Sequence, residues 1–274
     1  MTVACLAEVT KQFGSTRALD GASVSIEAGE PVALLGPNGA GKSTALKLLL
    51  GQLRPDAGRV ALFGADPRRP DTRRRVGVAP QESYFPATLR VRELLELVRA
   101  HFTDPVPLDG LVERFGLVDL TRRQLGGLSG GERRRVGVAL AFAGNPRFVV
   151  LDEPTTGLDL AARSAVWAAI RAHTGAGGTL LLTTHQLEEA DTLATRVVLI
   201  EQGRVVADGT NAAIKAAAGM TVVSYRGAGG DRRRLFVRDG GAAVAQLVRE
   251  GVALDELEVR PVTLEEAIAL RAGA

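Results

Sequence analysis

The chain has 274 residues, 46% of them apolar and 24% charged, enough to bury one large core and to carry a smaller appended unit. Its 34 basic residues stand against 31 acidic ones, and a net charge of +3 gives no reason to expect a nucleic-acid partner. The single cysteine, Cys5, excludes an internal disulfide and suits a reducing cytoplasm, and the opening MTVACLAEV lacks the basic stretch and apolar run of a secretory leader.

In chain order, the strongest apolar runs are residues 31–35, 148–151, 179–182 and 197–200, each far short of the roughly 20 residues that span a bilayer. They alternate with longer helical patterns such as residues 161–173, which predicts a mostly parallel sheet covered by helices, an α/β core. The Arg-rich stretch Arg68, Arg69, Arg73, Arg74 and Arg75 is broken by Pro67, Pro70 and Asp71 and reads as a solvated turn. Residues 82–144 carry Leu and Arg at helical spacing and read as a helical insertion. Arg133, Arg134 and Arg135 within it read as another solvated face. After residue 218 the composition resets. Strands are expected at 221–225, 234–237 and 257–262 and a helix at 242–250, with a last helix opening on the capping box Thr263-Leu264-Glu265-Glu266. The expected division is therefore a domain of residues 1–218 and a small C-terminal α+β domain of residues 219–274.

The segment Gly36-Pro37-Asn38-Gly39-Ala40-Gly41-Lys42-Ser43-Thr44 stands between the run ending at Leu35 and the helical run from Ala45 to Leu50. This is GxxxxGK[ST] in the strand, loop and helix setting that the motif requires. Glycines let successive backbone N–H groups turn toward one phosphate, and the helix N-terminus adds partial positive charge there. Lys42 is expected to reach the β- and γ-phosphates of ATP or GTP, and Ser43 to give an oxygen to Mg²⁺. Asp152 and Glu153 close the run 148–151, where one carboxylate can face the metal and the next polarise an attacking water.

Leu128-Ser129-Gly130-Gly131-Glu132 places two glycines in the first turn of a helix, where they cost stability. Their exposed N–H groups make an anion-attracting end with no phosphate loop beside it in sequence. Ser129 and Glu132 also satisfy a capping box, so the plainer reading is a well-started helix.

The ordered set GPNGAGKST, Gln81, LSGGE, FVVLDEPT, Gly157-Leu158-Asp159 and His185 resembles the ATP-binding cassette family, the nucleotide-binding subunits of ABC transporters, over about residues 3–209. The resemblance implies a P-loop NTPase core, with a mixed, mostly parallel sheet, antiparallel edge strands and an inserted helical subdomain. It implies a second copy packed head to tail, so that Ser129, Gly130 and Gly131 complete the partner's ATP site. By the same resemblance Gln81 contacts Mg²⁺ or the attacking water, His185 the γ-phosphate, Phe13 the adenine ring, and Asp159 links the two sites. Glu132 stands where the family usually has Gln. A carboxylate aimed at the triphosphate would repel it, so Glu132 is expected to turn back and cap its own helix.

The function so implied is ATP hydrolysis that drives a separate integral membrane permease, from the cytoplasmic face of the membrane. The permease is expected near Gln81, at Tyr84, Phe85 and Pro86. Residues 151–170, the TTHQLEEAD segment and the closing residues 263–273 resemble the bacterial drug, antibiotic and lipid exporter branch. An importer ATPase and a soluble cassette ATPase of DNA repair or translation are the alternatives. The repair forms carry long coiled-coil insertions and the translation forms usually two cassettes, and this chain has neither.

Overall fold

The computed structural model describes residues 1–227, 230–252 and 254–272; Gly273 and Ala274, at the end of the expected C-terminal domain, lie outside the described residues. The first strands, β1 (Thr2–Phe13) and β2 (Thr16–Glu27), form a long antiparallel hairpin. Next come β3 (Pro31–Leu35), α1 (Lys42–Leu49) and β4 (Ala57–Leu62), and β4 pairs with the free side of β1 to give a three-stranded sheet ordered β2-β1-β4. The antiparallel strands at the start of the chain thus sit in a sheet of their own.

The main sheet collects β5 (Val76–Ala79), β6 (Phe148–Asp152), β7 (Thr179–Thr183), β8 (Arg196–Glu201) and β9 (Arg204–Thr210) in the order β5-β6-β7-β3-β8-β9. The pairs β5–β6, β6–β7, β7–β3 and β3–β8 are parallel. A connection of only residues 202–203 brings β9 back antiparallel. The central strands read as unbroken apolar runs because both faces are covered: every residue of β7, and residues 32–35 of β3, is buried. Sheet order matters here because it lays the C-terminal ends of β3, β6 and β7 side by side.

Between β5 and β6 runs the helical insertion, with α2 (Pro70–Arg73) just before β5, then α3 (Val91–Arg99), α4 (Leu108–Arg114) and α5 (Gly130–Phe142). The last of these packs directly on β5. A Cβ on Gly77 would stand 1.7 Å from the Ala141 carbonyl oxygen, so only glycine allows that approach. After β6 come α6 (Leu160–Gly175) and, beyond β7, α7 (Leu187–Leu193).

The chain divides into two compact units, Met1–Asp208 and Gly209–Ala274, so the division falls earlier than the expected boundary after residue 218. The reason is α8 (Asn211–Ala218), which ends on the left-handed Gly219 and packs on α10 (Leu264–Ala272) of the second unit. That unit also holds a sheet ordered β11-β10-β12, from β10 (Thr221–Arg226), β11 (Arg232–Val237) and β12 (Asp255–Pro261), and the helix α9 (Gly240–Arg249). Val222, Val262 and Ala267 form its core on one side, and Val223, Tyr225 and Leu247 on the other. The Thr263 capping box is present: Thr263 N–H donates to Glu266 at 2.8 Å and Glu266 N–H to the Thr263 hydroxyl at 3.2 Å.

Candidate active site

Residues 36–41 leave β3 and turn sharply into α1. Three of the loop's glycines hold positive φ, Gly36 at 148°, Gly39 at 81° and Gly41 at 108°. A Cβ on Gly36 would stand 2.1 Å from the Ile200 carbonyl oxygen and one on Gly41 2.4 Å from that of Ala18, whereas Gly39 faces open space. Backbone is therefore pressed close on one side of the loop and open on the other, the cradle that a phosphate needs. Lys42 lies across it, with Nζ donating to the carbonyl oxygens of Gly36 at 2.7 Å and Pro37 at 3.0 Å. Burial pushes the Lys42 ammonium below its usual range, and the carboxylates of Glu153 and Asp152 push it back up.

A cleft of about 340 Å³ opens over this loop. Asn38, Gly39, Gly41, Lys42, Ser43 and Thr44 line it on one side and Gln81, Asp152 and Glu153 on the other. Gly36, Pro37 and Ala40 build the loop rather than the wall: the first two carry the carbonyls that accept from Lys42, and buried Ala40 accepts from Gly203 N–H at 3.0 Å.

Asp152 ends β6 and accepts from the Thr183 hydroxyl, which fixes its carboxylate beside the loop. Glu153 has a left-handed backbone, φ 53°, a conformation that a non-glycine residue adopts at a cost of about 1–3 kcal/mol and keeps where its surroundings enforce it. Those surroundings are specific. The Glu153 N–H donates to the Thr183 carbonyl at 2.9 Å, its Oε2 accepts from the Thr156 hydroxyl at 3.1 Å, and its Oε1 lies 3.1 Å from His185 Nδ1. Glu153 is buried while His185 is exposed, so the imidazole meets this carboxylate from the solvent side.

Other expected site residues lie outside the cleft walls. Phe13 closes β1, 47% exposed, with Lys11 Nζ 5.5 Å from its ring centroid. Asp159 caps α6, accepting from Ala162 N–H at 2.8 Å. Ser129 and Gly130 are exposed at the start of α5. Ser129 N–H donates to Glu132 Oε2 at 2.7 Å, Glu132 N–H to the Ser129 hydroxyl at 3.2 Å, and Arg123 Nη1 to Glu132 Oε1 at 2.6 Å. Glu132 thus turns back on its own helix, and the Ser129 backbone bond, helped by the Ser129 hydroxyl and Arg123, holds its carboxyl below the usual range. Gly131 is a packing requirement within this chain, since a Cβ there would come 2.6 Å from the Gly157 carbonyl oxygen; Gly130 faces open space.

Two features were not legible in sequence. Arg134 is not on a solvated face: it is 8% exposed and turns in under the cleft, while Arg133 is exposed. Glu189, 1% exposed, accepts from the Thr155 hydroxyl at 2.7 Å and from Trp167 Nε1 at 3.1 Å, tying α7 to the turn after Glu153 and to α6. The only sequence signal for either was a charged residue within a segment otherwise patterned for burial.

The ABC transporter family profile matches residues 19–156, from before the phosphate loop to just beyond Glu153. The chain belongs to the ABC transporter family. It is 41% identical over 255 residues to the daunorubicin resistance ATP-binding protein DrrA3 of Streptomyces coeruleorubidus, covering 89% of this chain and 78% of that one. It is 40% identical over 227 residues to the Nod factor export ATP-binding protein I of Burkholderia lata, covering 80% of this chain and 75% of that one. Among solved structures, an ATP-binding subunit of an ABC transporter superposes with a TM-score of 0.72 at 27% identity, over 80% of this chain and 94% of that one. The chain is thus an ATP-binding, ATP-hydrolysing cassette. No helix among the described residues is long and apolar enough to cross a membrane.

Proposed function

We propose that this cassette powers the export of a drug, antibiotic or lipid-like compound through a separate integral membrane permease, working as a head-to-tail pair on the cytoplasmic face of the membrane. The observation that carries the pairing is the separation of two parts. The cleft that holds the phosphate loop, Asp152 and Glu153 contains no residue of LSGGE, and Ser129 and Gly130 stand exposed at the N-terminal end of α5. A second copy turned end for end supplies the missing half to each cleft. The export reading is supported by likeness to resistance and Nod factor export ATP-binding proteins. Docking of the permease near Gln81 is supported by Tyr84, 88% exposed on the segment that leaves the cleft.

Within each cleft, the loop N–H groups and Lys42 hold the β- and γ-phosphates. Ser43, Asp152 and Gln81 offer the hydroxyl, carboxylate and amide oxygens that suit Mg²⁺, an ion bound through one or two carboxylates plus phosphates. A Mg²⁺ held by these oxygens would neutralise charge on the phosphates. Glu153 takes a proton from the attacking water, and His185, held by the same carboxylate, contacts the γ-phosphate. ATP drives transport because it binds the closed pair better than the open one.

The test is Glu153→Gln. We expect hydrolysis to fall by about 10²-fold or more, the scale of a lost general base, while ATP binding persists and a dimer accumulates on size exclusion with ATP and Mg²⁺. Turnover near the parental rate would reject Glu153 as the base. Copurification of the native protein with an integral membrane chain tests the transport assignment; recovery wholly apart from membranes counts against it.

A further inference from the structure

Arg134 lies one turn into α5, the helix whose first turn carries Ser129, and its guanidinium is buried beneath the cleft. Its donors go to backbone carbonyls of two segments far from it in sequence. Nη1 donates to the Pro80 carbonyl and, at 3.2 Å, to that of Gln81, while Nη2 donates to the Asp152 carbonyl. These carbonyls belong to the residues that hold Gln81 and Glu153 at the cleft. One planar fork therefore fastens three segments together: the start of α5, the exit of β5 and the exit of β6.

The electrostatic surroundings fit a charge kept for position. Burial disfavours the guanidinium, and the carboxylates of Asp152, Glu153 and Glu189 favour it. It stays charged, as arginine does in proteins. Its Nε has no hydrogen-bond partner among the described residues, a cost that plain packing would avoid. Lysine lacks the planar fork whose two nitrogens each take a carbonyl from a different segment, so the fork itself is what the place requires.

We propose that Arg134 is a positioning residue for hydrolysis, which sets the Gln81 and Glu153 segments in one register and ties that register to the LSGGE helix. It does not itself line the cleft and reaches Gln81 and Asp152 only through their backbone carbonyls, so it acts on the placement of the hydrolytic groups and not on the loop that holds the phosphates. The inference rests on the reading of Glu153 and Gln81 as hydrolytic groups.

The experiment compares steady-state ATPase of the full chain, Arg134→Lys and Glu153→Gln, with ATP affinity measured by equilibrium dialysis. For Arg134→Lys we expect kcat to fall about tenfold or more, with KM and ATP affinity within about twofold, because the phosphate loop and Lys42 keep their places while Gln81 and Glu153 lose theirs. Parental kcat, or a loss that appears in KM and affinity, overturns the proposal. If Arg134→Lys does not fold, Arg134→Gln, whose amide bridges fewer carbonyls, is judged by the same split. The two readings fail separately: parental turnover by Glu153→Gln removes the base assignment, whereas an inactive Glu153→Gln beside a fully active Arg134→Lys removes only the role of Arg134.

Discussion

Glu132 shows how one side chain settles a chemical conflict. Its carboxylate sits three residues into α5, where the helix dipole favours it, and the two reciprocal bonds with Ser129 keep it on its own helix. Glu132→Gln keeps the cap and loses only the Arg123 ion pair, in which both side chains are partly exposed. We expect stability to change by less than about 1 kcal/mol and ATPase activity by no more than about threefold. A large gain in turnover would mean that the carboxylate repels the phosphate after all. Gly131 is the opposite case. With the Gly157 carbonyl oxygen 2.6 Å from a would-be Cβ, Gly131→Ala must push α5 away from the turn after Glu153. Overpacking of this kind costs about 1–3 kcal/mol, which thermal unfolding reads directly, while Gly130→Ala, in open space, is expected to cost less. The sequence shows both glycines as equivalent members of LSGGE; only their neighbours separate them.

At the scale of elements, α10 and β12 are joined by Glu266. It caps α10 through Thr263 N–H and receives both Nη atoms of Arg260 at 2.8 Å, which lowers its carboxyl from 4.5 to about 2. A depressed carboxylate contributes stability that is fully present above its unfolded value and lost as pH falls through its folded one. The second unit is therefore expected to lose roughly 1 kcal/mol between pH 4.5 and pH 2 from this group. Glu266→Gln, followed by circular dichroism across that range, should flatten this part of the profile; an unchanged profile would assign the acid sensitivity elsewhere. The helix start was readable because a capping box spans three residues. The pairing with Arg260 was not, since it depends on which strand lies beneath the helix. The same distinction explains α8: its sequence continues smoothly from β9, yet its packing partner is α10.

For the whole molecule, ligand linkage gives the measurable consequence. ATP at a hundredfold excess over its Kd is expected to stabilise the nucleotide-binding unit by about 2.7 kcal/mol, seen as slower hydrogen exchange in β3, α1 and β6; no change there would place the nucleotide elsewhere. The sequence by itself determined the phosphate loop, the Asp152-Glu153 strand end, the α/β class, the LSGGE helix start and the Thr263 cap. Each is a local pattern whose chemistry lies within a few residues, so one stretch of chain suffices to specify it. Tertiary structure alone decided that β3 lies between β7 and β8, that Thr183 holds Asp152, that Glu189 joins Thr155 to Trp167, and that Arg134 turns inward beneath Pro80, Gln81 and Asp152. These contacts join segments distant in sequence. A row of three arginines has no period that tells which one faces the core, and only the packing of α5 on β5 settles which guanidinium is buried.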